Sequence, residues 1–307
     1  MRRILVMGGE ESVKNYTRTD LACEKMADAA FSAEDLEKIC SRESVEGFEV
    51  IRLCVKEAHH STLLGKPIGT YVTVECGDIV YLGEDERERL VLLLAREIRN
   101  MCPRVPDREF SVLVVGLGNE EITADAIGPK AARRLTATRH LRHFDGALYD
   151  AVGRCEISVL FTGVLGQTGM ETVELVRGAA ENVCPHLILA VDALAARSSE
   201  RLASTVQLCD SGIEPGSGVG NERKGITPKT LGVPVIALGV PTVVDSSTLV
   251  WETLRRAGID KVSEELREIL ENGRNFFVTP KECDRITDEV SSLLADAIDH
   301  AFCLGDL

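Results

Sequence analysis

The chain of 307 residues is long enough to bury a full hydrophobic core, and its mean hydropathy of +0.02 is typical of a globular protein. It carries 35 lysine and arginine residues against 49 aspartate and glutamate residues, a formal net charge of −14 that argues against direct nucleic-acid binding. Aromatic residues make up 4% and no uncharged apolar run reaches bilayer-spanning length, which argues against a base-stacking surface and a membrane partner.

The first third of the chain is predicted to form short helices and strands behind a loose, polar extension that ends near residue 22. Ser32 is expected to cap a short helix that runs to Cys40, with acidic residues in its first turn. Residue alternation predicts strands at Phe48–Val55, Thr70–Glu75 and Ile79–Leu82, and helical periodicity predicts an amphipathic helix at Asp85–Met101.

The rest of the chain is predicted to alternate strands with helices. The strands are Val112–Val115, Val159–Phe161, Leu187–Val191, Thr205–Leu208 and Val235–Leu238. The helices are Lys130–Thr138, Met170–Val183, Ser246–Ala257, Ser263–Asn272 and Pro280–His300. This order is typical of a three-layer α/β/α domain of the phosphorylase/hydrolase-like kind, in which helices cover both faces of a largely parallel mixed sheet. No linker or repeat divides it.

The stretch SVLVVGLGNEEITADAIGP, from Ser111 to Pro129, combines a buried strand, a glycine turn, an acidic loop and the start of a helix. Gly116 and Gly118 allow the sharp turn. In open α/β sheets, functional side chains gather beyond the carboxyl ends of the strands. Asp125 is therefore the first candidate for chemistry. Its alternative role is to cap the helix that follows.

Asp192 follows the apolar run LILAV, so it is predicted to be partly buried. Burial disfavours a charged carboxylate unless a donor compensates, and a salt bridge to Arg197 is the alternative role for this residue. Because Asp125 and Asp192 both follow buried strands, one sheet can bring both to the same edge. Two facing carboxylates can share a proton, so that one acts as an acid while the other activates water.

Besides Arg197, three further residues are candidates for substrate binding or support. Asp245 follows PTVV and could bind or orient a substrate, although capping the helix at Ser246 is the simpler role. Gly218 lies in PGSGVGN, which lacks the spacing of a phosphate-binding loop and suggests a turn or a substrate-groove wall. Gly166 lies in GVLGQTG, which could present backbone N–H groups to an oxyanion, as could any flexible turn.

Other chemistries have less support in the sequence. The ten cysteines show no C-x-x-C spacing and are interpreted as reduced thiols of a cytosol-like compartment. There is no G-x-S-x-G motif for a serine nucleophile, and nothing places a cysteine beside a histidine. The histidine pairs His59-His60 and His140-x-x-His143 do not match a common zinc site. We expect neither a metal nor another cofactor.

Long segments of the chain resemble the germination proteases of spore-forming bacteria. They are VLVVGLGNEEITADAIGP, LGQTGMET, VDALAARSSERLASTVQLCDSGIEPGSGVGNERK and LGVPVIALGVPTVVDSS, with GKPIGTYVTVE and FFVTPKECD. These motifs recur in order over nearly the whole chain, which makes the resemblance specific. More distantly, GLGN followed by DAIG resembles the hydrogenase-maturation proteases, whose α/β/α fold the germination proteases share.

The resemblance implies an atypical aspartic-type endopeptidase, made as a zymogen, that degrades small acid-soluble spore proteins in the cytoplasm of the germinating spore core. It implies two essential aspartates, which by motif fall on Asp125 and Asp192. The family commonly has proline before the first aspartate, whereas this chain has Ala124. No histidine matches the metal motif of the hydrogenase-maturation relatives. The resemblance also implies a homotetramer.

The segment TDLACE, from Thr19 to Glu24, resembles the sites that this family cuts in spore proteins. We therefore predict self-cleavage between Ala22 and Cys23, which divides the chain into a propeptide, 1–22, and a single peptidase domain, 23–307. The alternative is that residues 1–22 are a loosely structured N-terminal segment that is not cleaved. The alternatives for the function are a metal-dependent maturation endopeptidase and a non-catalytic α/β binding protein.

Overall fold

The computed structural model describes residues 18–105, 110–216, 224–259, 262–272 and 276–303. Within these ranges the strands are β1 (Cys40–Val45), β2 (Phe48–Val55), β3 (Gly69–Glu75), β4 (Ser111–Gly116), β5 (Glu156–Phe161), β6 (Leu187–Ala196), β7 (Thr205–Cys209), β8 (Val235–Asp245) and β9 (Phe277–Val278). The helices are α1 (Ala22–Asp28), α2 (Ala33–Ile39), α3 (Ala58–Leu64), α4 (Glu84–Met101), α5 (Ile127–Arg134), α6 (Arg139–Phe144), α7 (Gly146–Val152), α8 (Leu165–Thr168), α9 (Thr172–Val183), α10 (Pro228–Leu231), α11 (Ser246–Arg256), α12 (Glu264–Asn272) and α13 (Cys283–Ala301).

The strands of the described residues form one mixed sheet in the order β1-β2-β3-β7-β8-β6-β4-β5, with β9 beside β8. Strands β8, β6, β4 and β5 run parallel to one another. Strands β1, β2, β3 and β7 join them through antiparallel pairs. The α/β class and the mixed sheet are thus confirmed. The parallel half is the part that brings several carboxyl ends to one edge.

Helices cover both faces of this sheet, because side chains of a strand point alternately to its two sides. Along β4, Val112 and Val114 pack in the cluster that holds α4, α5 and α13. Leu113 and Val115 pack on the opposite side with α9. Helices α1 and α3 lie over β2 and β3 in a cluster of their own. This arrangement confirms the three layers.

The strand predicted at Ile79–Leu82 is wrong, since a 3₁₀ helix occupies Ile79–Tyr81. Asp78 caps it by accepting a hydrogen bond from the backbone N–H of Val80 at 3.1 Å. A side chain that satisfies the backbone locally competes with strand pairing. Alternation over four residues did not reveal that competition.

The helix predicted at Lys130–Thr138 is α5, which begins earlier and ends at Arg134. Thr138 is fully buried outside it. Its hydroxyl donates to Cys155 O at 2.6 Å and accepts from Ile157 N at 2.8 Å. These bonds hold Thr138 against the start of β5, so the chain leaves the helix before this residue.

Strands β6 and β8 both continue beyond the predicted ends, to Ala196 and Asp245. Their pairing runs from Ile188 opposite Val235 to Ala196 opposite Val244, with one irregularity between Leu194 and Ala195. Asp192 therefore lies within a strand and not after one. A single polar residue does not end a strand when the apolar pattern resumes beyond it.

Candidate active site

A cavity of about 440 Å³ opens at the carboxyl edge of the parallel strands. Asp125 and Asp192 both line it, and Asp20 is a third carboxylate in its wall. Most of the remaining lining is apolar, including Ile122 and Leu194. A cavity with apolar walls and a few convergent polar groups is the usual form of a ligand or substrate site. The structure thus brings the two predicted catalytic residues together.

Asp125 ends a 3₁₀ helix, Thr123–Asp125, in the loop between β4 and α5. Its Oδ2 atom accepts a hydrogen bond from Asn119 N at 2.7 Å. The loop itself is held from two sides. Thr242 donates to Ala124 O at 2.6 Å, and Thr287 of α13 donates to Thr123 O at 3.0 Å. These bonds fix the carboxylate at the cavity wall.

Two glycines allow the loop of Asp125 to approach the end of β6 closely. Gly118 has φ +111°, and a Cβ atom there would lie 2.1 Å from Asp125 O. A Cβ atom at Gly128 would lie 2.3 Å from both Leu117 O and Val191 O. Leu117 N donates to Val191 O at 2.9 Å. The turn before Asp125 is therefore joined to the residue that precedes Asp192.

Asp192 lies on β6 with 5% of its surface exposed. Its Oδ1 atom accepts a hydrogen bond from the backbone N–H of Ala193 at 2.9 Å. Across the sheet it stands opposite Gly239 of β8. A Cβ atom at Gly239 would lie 2.9 Å from Asp192 O, so this glycine leaves room for the strands to pack here.

The segment from Arg18 to Leu21 crosses the end of β6 at this cavity. Asp20 N donates to Ala195 O at 2.9 Å, and Ala195 N donates to Asp20 Oδ2 at 2.9 Å. Leu21 has no exposed surface and packs with Leu194 in one cluster. The extension is predicted to be loose, but its last residues are fixed at the site. They are fixed because Leu21 packs against apolar side chains, including Leu194.

Asp245 ends β8 and caps α11, as its simpler predicted role requires. Its Oδ1 atom accepts hydrogen bonds from Thr248 N at 3.0 Å and Thr248 Oγ1 at 3.2 Å. Its Oδ2 atom lies 3.8 Å from Nη1 of Arg18. Asp245 is 2% exposed. It does not line the cavity, although Val243, two residues before it, does.

Arg197 anchors helix α1. Its guanidinium forms an ion pair with Asp28. The backbone N–H groups of Arg197 and Ser198 donate to the buried carboxylate of Glu24 at 2.7 and 3.0 Å. Arg201 adds a contact to Glu24 at 3.3 Å. Through these bonds the DALAAR segment holds the start of the predicted peptidase domain.

The two glycine-rich candidates have different positions. Gly166 lies in the short helix α8, where a Cβ atom would meet nothing within 4 Å. Its neighbours Gly163 and Val164 line the cavity. Gly218 lies outside the described residues, although Gly216, two residues before it, also lines the cavity.

Ala22 and Cys23, which flank the predicted processing bond, form the first turn of α1. Ala22 has no exposed surface and Cys23 has 4%. Burial raises the pKa of the Cys23 thiol to about 11. Cleavage at this bond remains a prediction, and in this structure it requires the first turn of α1 to unwind.

The sequence did not single out Asp20, which lines the cavity, or Gln207, which binds the segment that contains Asp20. Asp20 was noted only within the substrate-like segment, and Gln207 lies in the middle of the apolar strand β7. Gln207 is 6% exposed and its amide bonds to both Asp20 and Ala22. A polar residue inside an apolar strand was the available signal, because a buried amide needs partners.

The described residues offer neither a metal site nor a membrane-spanning helix. Across the part of the chain that the structure describes, no group of three or more His, Cys, Asp or Glu side chains is placed to hold a metal ion. Among the same residues, no helix combines the length and the apolar character that crossing a bilayer demands.

Comparison with known proteins identifies the family. A model of the germination protease family matches residues 17–268. The chain is 36% identical to the germination protease of Caldanaerobacter subterraneus subsp. tengcongensis over 94% of each protein. It is 35% identical to that of Clostridium acetobutylicum, over 94% of this chain and 95% of the relative. These matches define a peptidase with an α/β fold. The chain belongs to the germination protease family.

Among solved structures, the chain is similar to a [NiFe] hydrogenase maturation protease, HycI, from Thermococcus kodakarensis KOD1. It is 14% identical, with a TM-score of 0.36, and the alignment covers 66% of this chain and 98% of that one.

Proposed function

We propose that this protease is the endopeptidase that degrades small acid-soluble spore proteins during germination, and that Asp125 and Asp192 are its catalytic pair. The observation that carries the proposal is the shared cavity. Both carboxylates line it, and Asp20, whose main chain is hydrogen-bonded to Ala195, forms part of its wall. A cavity bordered by a removable stretch of main chain can widen to admit a protein substrate.

In the proposed mechanism, the two carboxylates share one proton and act on a water molecule. The ionised carboxylate accepts a proton from water as its oxygen attacks the peptide carbonyl. The protonated carboxyl then supplies a proton to the leaving amine. The backbone bonds that fix Asp125 and the strand position of Asp192 limit movement of both groups. Such positioning lowers the barrier without any bound cofactor.

The proposal includes synthesis as a zymogen. Asp20, close to the end of the extension 1–22, lines the cavity together with the catalytic pair. Self-cleavage between Ala22 and Cys23 would remove it. We further propose that the enzyme acts as a homotetramer in the cytoplasm of the spore core; light scattering of the purified protein tests the assembly.

One experiment separates this function from its alternatives. The purified full chain is incubated with a small acid-soluble spore protein, with and without a chelator, and its N-terminus is determined. Cleavage that the chelator leaves unchanged supports the proposal. Cleavage that the chelator stops and added divalent metal restores supports the metal-dependent alternative. Absence of cleavage, even by protein produced with Cys23 as its first residue, supports the binding protein.

A further inference from the structure

Gln207 holds the N-terminal segment by both ends of its side-chain amide. Its Nε2 atom donates to Asp20 O at 3.1 Å, and its Oε1 atom accepts from Ala22 N at 2.6 Å. On the other side of the segment, Asp20 N donates to Ala195 O at 2.9 Å. These three bonds involve only main-chain atoms of the segment. Recognition of this kind does not depend on the peptide's side chains.

Gln207 stands in register with a catalytic aspartate. On β7 it pairs with Gly239 of β8, and Asp192 of β6 pairs with the same glycine from the other side. Residues directly opposite one another in a sheet point to the same face. Asp192 and Gln207 are thus two strand spacings apart, about 10 Å, which an extended peptide covers in about three residues. Gly239 places no side chain between them.

The segment also separates two cavities. The larger one contains Asp125 and Asp192, and a smaller one of about 130 Å³ is lined by Gln207 and Gly239. Asp20 and Leu194 line both cavities. When the propeptide leaves, Asp20 leaves with it, and the two cavities become one groove. Gln207 lies at one end of this groove and the catalytic pair at the other.

We propose that Gln207 is a substrate-binding residue that positions the peptide for cleavage. In the processed protein its amide forms with the substrate main chain the two bonds that it forms here with Asp20 and Ala22. The inference rests on the proposed function, because it takes the ligand to be an extended peptide substrate. The burial of Gln207, which is 6% exposed, supports this role. A buried amide that has lost both hydrogen-bond partners favours the binding of a peptide that supplies new ones.

The test combines a change in the enzyme with a change in the bound peptide. The probe is a synthetic peptide with the sequence of residues 17–22, which should occupy the groove of the processed enzyme as the propeptide does here. Its inhibition constant, Ki, is measured against cleavage of a spore protein by enzyme produced from the full chain. One version carries an N-methyl group on the alanine that matches Ala22, which removes the N–H that Gln207 accepts. The control version is methylated on the leucine that matches Leu21, whose N–H bonds to Thr19 of the same segment at 3.0 Å.

In the wild type, methylation of the alanine should raise Ki about tenfold, the effect of losing one hydrogen bond to a buried partner. Methylation of the leucine should change Ki less. Gln207→Met, which keeps the side-chain length, should raise KM for the spore protein and Ki for the unmodified peptide, and its Ki should no longer respond to methylation of the alanine. An equal response in both proteins, or none in the wild type, would overturn the role of Gln207.

The outcomes also separate this inference from the function on which it rests. If the wild type cleaves the spore protein but alanine methylation has no specific effect on Ki, the inference fails and the proposed function stands. If the processed wild type does not cleave the spore protein, both fail. Circular dichroism shows whether Gln207→Met is folded. If Gln207→Met does not fold, the comparison of the two methylated peptides in the wild type still tests the inference.

Discussion

Replacement of Gly118 by alanine tests whether the loop of Asp125 must lie where the structure places it. The added Cβ atom would lie 2.1 Å from Asp125 O and 3.0 Å from Asp125 Oδ1, whereas ordinary contacts begin at 3.4 Å. Asp125 O belongs to the backbone and cannot rotate away as a side-chain atom can. The loop must therefore retreat by about 1 Å, a displacement that costs about 10²-fold in rate when it affects a catalytic group.

Gly153 supplies a matched control. It has φ +64°, and a Cβ atom there would meet nothing within 4 Å. Gly153→Ala therefore introduces the strain of a positive φ without a collision, at a cost of about 1–2 kcal/mol of stability. We expect kcat/KM for a spore protein to fall about 10²-fold in Gly118→Ala and to stay within about twofold in Gly153→Ala. Thermal unfolding monitors the stability of both variants.

The reasoning fails if Gly118→Ala cleaves the spore protein at the wild-type rate while it remains folded. It also fails if the two variants lose activity in proportion to their losses of stability. In either case the position of the Asp125 loop would not control the reaction.

Two further predictions concern the ends of the site. Asp245→Ala should lower the free energy of unfolding by about 1 kcal/mol, because α11 loses its N-terminal cap. Asp245→Asn can still cap the helix and should be close to the wild type. Equal effects of the two variants in chemical denaturation would contradict the capping role. Processing should give a new N-terminus at Cys23, faster as the pH becomes mildly acidic, because high pH removes the shared proton and leaves two like charges. Mass spectrometry should find this product in the wild type and not in Asp192→Asn. Burial raises the pKa of the Cys23 thiol to about 11, so alkylation of this thiol should begin only after cleavage. A chain that stays intact wherever it cleaves substrate would contradict the processing prediction.

The elements that the sequence predicted well have a strong local pattern. Strand β2 and helix α4 were located to within one residue because one alternates and the other has a regular apolar face. Strand β1 was missed because its sequence, CSRESV, is mostly charged or polar, as suits an exposed edge strand. Helix α1 was missed because its first residues belong to the expected loose extension.

The site was only partly accessible to the same reasoning. Asp125 and Asp192 could be found because each follows an apolar run, and parallel strands bring such positions to one edge. The parts played by Asp20 and Gln207 could not be found in this way, because their bond joins residues 187 positions apart. Local sequence patterns carry no information about which distant segment will satisfy a buried amide.

The most direct test of the account is the rate of spore-protein cleavage by Asp125→Asn and Asp192→Asn in the presence of a chelator. An amide can neither accept a proton from water nor donate one to the leaving amine in the carboxylate's place, so each variant should lose at least about 10²-fold in kcat while it unfolds at a temperature close to that of the wild type. The double variant should be little worse than the poorer single variant, because the two groups act as a unit. Near-normal turnover in either single variant would remove that aspartate from the mechanism and contradict the paired-carboxylate account.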